Sequence, residues 1–144
     1  GAWAGSWVWD ALQDGLRDTE HLARLYVMQL ILRREATDRL ILLTSACGSP
    51  DGVIHGWALD GLSDLGISDV IPLMLAALDS TDVWVLSKAV NGLTRLSGVE
   101  ITRRPVSPAK QQEIAAEWRD WWEASKDRYP PGTKMPKSDS KPAK

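Results

Sequence analysis

The sequence predicts an all-α chain folded as an α-solenoid, and three observations carry that prediction. The chain aligns with itself at a spacing of 31 residues, which is the signature of stacked structural units. Within each period the apolar residues recur at helical spacing. No hairpin dipeptide stands between two alternating apolar runs, so nothing competes for a strand. Each period reads as helix, short turn, helix, short turn.

The first helix of each period opens on a polar column of Thr19-Glu20, Pro50-Asp51 and Thr81-Asp82, residue types that cap or begin helices. Three apolar columns follow: Leu22, Val53 and Trp84; Val27, Ala58 and Ala89; Ile31, Leu62 and Leu93. Their separations of five and four residues predict one stripe facing a core. The second helix opens on Thr37-Asp38 and Ser68-Asp69, read as N-cap pairs. It continues with Leu40 and Ile71, Leu43 and Met74, Ala46 and Ala77, Cys47 and Leu78. Pro72 falls close to that helix's start, where its missing N–H is tolerated.

One period upstream, Ser6, Trp9 and Leu12 join the columns of Thr37, Leu40 and Leu43. The chain is therefore expected to start on the second helix of a truncated unit, residues 6–17. Complete units are expected at 19–48, 50–79 and 81–106. Trp3 and Trp7 then lie on an uncovered helix, either as an improvised end cap or as a contact with something outside this chain.

The segments "SPDGVIHGWALDGLSDLG" and "STDVWVLSKAVNGLTRLSG" resemble the first helix of HEAT repeats, with an Asp near the start, a branched apolar residue, a small Ala and then a Leu. The resemblance spans roughly residues 6–100. It implies a right-handed α-solenoid of about three to four HEAT-like helical hairpins. The family often carries Arg in that helix, where this chain has His55 and Leu86, so the usual charge ladder between repeats is expected to be weak or absent. The run "SPAKQQEIAAEWRDWW" resembles a C-terminal pattern of bacterial HEAT-repeat proteins.

In that run Ser107 reads as an N-cap and Pro108 as the first helical residue. Ile114, Trp118, Trp121 and Trp122 then share one helix face. A solenoid's last unit has no neighbour to cover it, so residues 107–128 are expected to form a capping helix and its tryptophans a lid. A ligand-stacking platform is the alternative. From residue 130 the chain turns to "PPGTKMPKSDSKPAK", too poor in apolar residues to offset its ordering entropy. A disordered tail over 130–144 is expected, with a basic linear motif as the sharper alternative, leaving one repeat domain over 1–129.

The net charge is −2. From Lys126 onward six basic residues face two acidic ones, giving +4, so the remainder carries −6. A net-acidic folded part argues against nucleic acid as a partner. No apolar run reaches the ~20 residues of a bilayer span. The single cysteine, Cys47, excludes an internal disulfide. The start at Gly1 without Met favours an exported or periplasmic chain slightly over a cytoplasmic one.

No catalytic constellation is found. His21 and His55 fall in different columns and have no Cys or carboxylate at metal-ligand spacing. Cys47 shares the column of Leu78 and reads as a small core residue. The pairs Asp60–Asp64 and Asp14–Asp18 sit among polar residues and read as solvated faces. No phosphate-binding glycine loop or nucleophile elbow is present. Neither a metal nor a cofactor is expected.

What remains is surface: Trp3, Trp7, Tyr26 and Trp57 are the candidate partner-binding residues, with Tyr26 and Trp57 in one column as an aromatic ridge. The expected function is a non-catalytic protein–protein interaction or scaffold module, an accessory subunit or a fragment of a larger complex. The alternative is a HEAT-like protein acting on a ligand, resembling bilin lyases or DNA glycosylases. The glycosylase reading needs a basic groove, and the lyase reading an apolar cleft wide enough for a tetrapyrrole.

Overall fold

The computed structural model describes residue 14, residues 21–99 and residues 107–136. The expected truncated unit apart from residue 14, Trp3 and Trp7, the end of the third expected unit and residues 137–144 lie outside the described set. The all-helical expectation holds: no strand occurs among the described residues, and every packed element is a helix.

Among the described residues six helices follow in order: α1 His21–Leu32, α2 Ala36–Ala46, α3 Gly52–Leu65, α4 Ile71–Ala77, α5 Val83–Ser97 and α6 Pro108–Ser125. Short 3-10 turns stand at Ser68–Val70 and Lys126–Arg128. Helix α3 is the hub, packing against α1, α2 and α5, while α4 packs against α5 and α6.

Helices α3 and α5 start by the same device. Asp51 Oδ1 accepts from the backbone N–H groups of Val53 and Ile54 at 2.9 and 3.4 Å. Asp82 Oδ1 accepts from those of Trp84 and Val85 at 2.9 and 3.3 Å. Each cap satisfies donors that a helix start otherwise leaves open, stabilising it by about 1 kcal/mol. Both helices also end alike. Gly66 and Gly98 sit at φ 67° and 71°, the left-handed conformation that only glycine adopts without strain.

The second helices start differently from the sequence reading. Helix α2 has Glu35 at its N-cap position without a side-chain cap bond, and Asp38 lies buried in the first turn, 3.7 Å from Arg34. Ser68 is buried, and its hydroxyl donates to the Pro130 carbonyl at 2.8 Å rather than capping a helix. At Ser68 a tertiary partner thus outcompetes the local cap, whereas Asp38 faces Arg34 four residues earlier. At α6 the reading holds: Ser107 Oγ accepts from the Lys110 N–H, and Pro108 opens the helix.

Of the predicted core columns, Ile31, Leu62 and Leu93 are fully buried, as are Leu43 and Met74. The column containing Val53 and Trp84 is a correction, because both residues are exposed. They lie in the first turn of their helices, just past the capping Asp, at the margin of the helix packing where a side chain is covered on one side only.

The close packing rests on two glycines. A Cβ on Gly61 would stand 2.7 Å from Leu43 Cδ1, and one on Gly92 would stand 2.8 Å from Met74 Sδ. Leu43 of α2 fills a notch in α3, and Met74 of α4 fills a notch in α5. The two notches are 31 residues apart, as are the side chains that fill them. Gly92→Val is expected to cost about 1–3 kcal/mol through overpacking, read as a lower urea midpoint. Asn91→Ala, on the exposed side of the same helix, should stay within about 0.5 kcal/mol.

Candidate binding surfaces

Three surfaces carry the aromatic and charged residues singled out by the sequence. The first is the face shared by α1, α3 and α5. Tyr26 on α1 is 64% exposed. Trp57 on α3 is half-buried and packs against the core. No ring contact joins Tyr26 and Trp57 among the described residues. Trp84 of α5, which periodicity places in the core, is 43% exposed instead. Its indole lies directly over Gly56 of α3, in space that a Cβ would occupy. Lys88 Nζ stands 4.4 Å from the Trp84 ring centroid and 2.6 Å from Asp60 Oδ2. The ring is thus held by a glycine floor and a cation whose own charge is anchored. Val53 and Val83 extend the exposed apolar area beside it. The available signal was Gly56 itself, a residue without a side chain one helical turn after Val53.

Ion pairs nevertheless join the helices, at positions other than His55 and Leu86. Arg24 of α1 bonds Asp51 Oδ2 at 2.9 Å, so Asp51 caps α3 with one oxygen and ties α1 with the other. Lys88 and Arg95 of α5 pair with Asp60 and Asp64 of α3, the latter at 2.7 Å. The pair Asp60–Asp64 lies on a solvated face, as expected, and is also the acidic side of a helix-to-helix ladder. It uses other positions than the Arg of the resembling family. The two α3–α5 pairs are substantially exposed and contribute about 0.2–1 kcal/mol each.

The second surface is the end covered by α6. Ile114 and Trp118 are fully buried, while Trp121 and Trp122 pack partly buried around them. Trp118 and Trp121 meet edge to face with centroids 5.6 Å apart, and Trp121 and Trp122 tilt together at 5.8 Å. The helix is fastened to the end of α4 by its polar residues. Gln111 donates to the carbonyls of Leu78 and Ser80, both at 2.8 Å. Arg119 donates to the Leu75 carbonyl and pairs with Asp79 at 2.8 Å. These donors satisfy carbonyls that the end of α4 leaves open. The Trp118 indole N–H is buried without a hydrogen-bond partner, a cost of about 1–3 kcal/mol accepted for the ring's volume.

The third surface is built by the segment expected to be disordered. Residues 130–136 turn at Gly132 (φ 86°) and return along the loop after α3. The Ser68 N–H donates to the Thr133 carbonyl at 2.8 Å and the Met135 N–H to the Gly66 carbonyl at 2.7 Å. The Gly132 N–H donates to Asp69 Oδ1 at 2.6 Å. Met135 is buried in the core. One apolar side chain and a few backbone bonds are enough to hold this strap, which average composition does not reveal. Between the strap, the Ser68–Val70 turn and the end of α6 lies an open cleft of about 510 Å³. Trp122 and Tyr129 form its aromatic walls, with Pro72 and Pro131 beside them.

Chemistry elsewhere is sparse. Burial pushes the Cys47 thiol up to about 12, so little thiolate exists near neutral pH. Burial lowers the pKa of His55 below its ordinary value, against the opposing field of Asp82. Among the described residues no group of three or more His, Cys, Asp and Glu side chains is placed to hold a metal ion. None of the described helices is long and apolar enough to cross a membrane.

These contacts set three expected outcomes. Trp118→Ala should cost about 3–5 kcal/mol. Trp118→Phe should cost clearly less, because it removes the unpartnered donor; urea unfolding distinguishes them. Met135→Asp should release the strap, so that hydrogen exchange speeds up at the Ser68 amide while the core amide of Leu59 stays protected. The lowered His55 pKa means that the folded state binds fewer protons than the unfolded one. Its contribution is therefore fully present above about pH 6.5 and lost as pH falls below it. His55→Gln should flatten the stability profile there, read as urea midpoints that no longer fall with pH through that range.

Comparison with protein-family models, with curated proteins and with solved structures gave no match for this chain.

Proposed function

We propose that the chain is a non-catalytic protein–protein interaction or scaffold module, built as a HEAT-like α-solenoid and serving as an accessory subunit or part of a larger assembly. The observation that carries this reading is Trp84, a large aromatic left substantially exposed yet held rigidly between Gly56 and Lys88. A preordered aromatic loses little conformational entropy on docking, which is why such residues dominate interface energetics. Val53 and Val83 widen the apolar patch, and Asp60 with Lys88 gives it a charged margin. Tyr26 belongs to the same series of helices and enlarges the surface available to a protein partner.

The solenoid reading draws support from devices recurring at one spacing. The capping residues Asp51 and Asp82, the notch residues Gly61 and Gly92, and the filling side chains Leu43 and Met74 each differ by 31. The fastening of α6 onto α4 by Ile114, Trp118, Gln111 and Arg119 suits a terminal cap.

A photocrosslinking amino acid at Val83 should give adducts with a discrete protein in extracts of the source cells. One at Ala116, on the exposed side of α6, should not. Trp84→Ala should weaken that association at least tenfold while leaving the thermal unfolding midpoint within a few degrees. Equal adduct yields with Trp84 present or absent would rule out this surface as the docking face.

A further inference from the structure

We propose that the cleft between α6 and the strap is a second binding site, taking an extended peptide of a partner protein in which proline stands next to lysine or arginine. The site is independent of the Trp84 surface.

Its walls are flat. The rings of Trp122 and Tyr129 are joined by the pyrrolidine rings of Pro72 and Pro131, which leaves apolar facets rather than a deep hole. Such facets suit a polyproline II segment, whose ligand rings stack on aromatic walls and whose conformation is already extended before binding. Strand addition to the neighbouring loop is blocked, because the strap already occupies the Ser68 N–H and the Gly66 carbonyl.

The charge of the cleft selects a cation. Asp69 and Asp127 both line it. Asp127 has no hydrogen bond or ion pair with any described residue, whereas Asp69 accepts one backbone N–H. The single basic residue lining the cleft, Lys126, is already paired with Glu123 at 2.9 Å. Arg128 is turned away to Ser125 and the Tyr129 ring, 5.8 Å from its centroid. The face of Trp122 also attracts a cation through its ring quadrupole, whereas Tyr129 already carries Arg128 against its ring. A lysine or arginine beside a proline therefore places its charge at Asp127 while the proline stacks on Trp122. An acidic peptide meets two carboxylates against one lysine that is already paired with Glu123, and is disfavoured.

The test is a titration of the isotopically labelled chain with the synthetic peptide acetyl-Pro-Pro-Lys-Pro-Pro-Lys-Pro-amide, following the Trp122 indole N–H signal, identified by its loss in Trp122→Phe. Two forms are titrated, the full chain and one ending at Pro136, because the residues beyond carry lysines of their own. The signal is expected to shift saturably in both forms. The same peptide with glutamate in place of lysine should bind at least tenfold more weakly. Asp127→Lys, an exposed change that leaves the unfolding midpoint in place, should weaken the lysine peptide at least fivefold, and Trp84→Ala should leave it unchanged. No shift at millimolar peptide, equal affinity for the glutamate peptide, or full affinity in Asp127→Lys would each overturn the proposal. Binding to the shortened chain alone would also overturn it, assigning the cleft to the chain's own basic end.

Discussion

The close approach of α2 to α3 and of α4 to α5 is the constraint on which the rest of the structure depends. It exists because Gly61 and Gly92 present no side chain where Leu43 and Met74 enter. Around these notches the fully buried Leu62 and Leu93, Ile54 and Leu59 complete the core. Close-packed interiors transmit a change of even one methylene, so these two positions fix how near the helices lie. That separation decides whether more distant contacts form at all. The Asp60–Lys88 and Asp64–Arg95 pairs span the neighbouring α3–α5 contact, where Gly92 also faces Ser63 and the Trp84 indole reaches Gly56.

Polar residues then select one arrangement among those the core permits. Asp51 serves two purposes with its two oxygens, fixing the start of α3 and its relation to α1. Gln111 and Arg119 act comparably at the far end, where α6 closes over the open carbonyls of α4. Each bond contributes modestly by itself. Their joint effect is specificity, since a shift in register would leave several buried carbonyls and one guanidinium without partners.

The functional picture follows from what is rigid and exposed together. Trp84 is held in place without being covered, and the aromatic walls of the strap cleft are held by the same cap helix that closes the core. The one thiol is displaced far from reactive range by its burial. Two surfaces on separate elements would let one small module join two partners or grip one partner twice.

Much of this is legible in the sequence alone. The all-helical class, the buried columns of Ile31, Leu62 and Leu93, the caps at Asp51, Asp82 and Ser107, and the buried face of Ile114 and Trp118 follow from periodicity and local hydrogen bonding, which act over one or two helical turns. What the sequence hides is long-range. Trp84 reads as core because periodicity reports a helix face, but not whether a neighbour extends far enough to cover its first turn. The charge ladder escapes it because pairs such as Asp64 and Arg95 become neighbours only when α3 and α5 pack. The strap escapes it because composition averages over a segment, whereas Met135 and a few backbone bonds hold it to a loop some 65 residues earlier. Local pattern decided which residues are helical and which faces are apolar. Only tertiary contact decided which of them stay uncovered, and those are the residues available for binding.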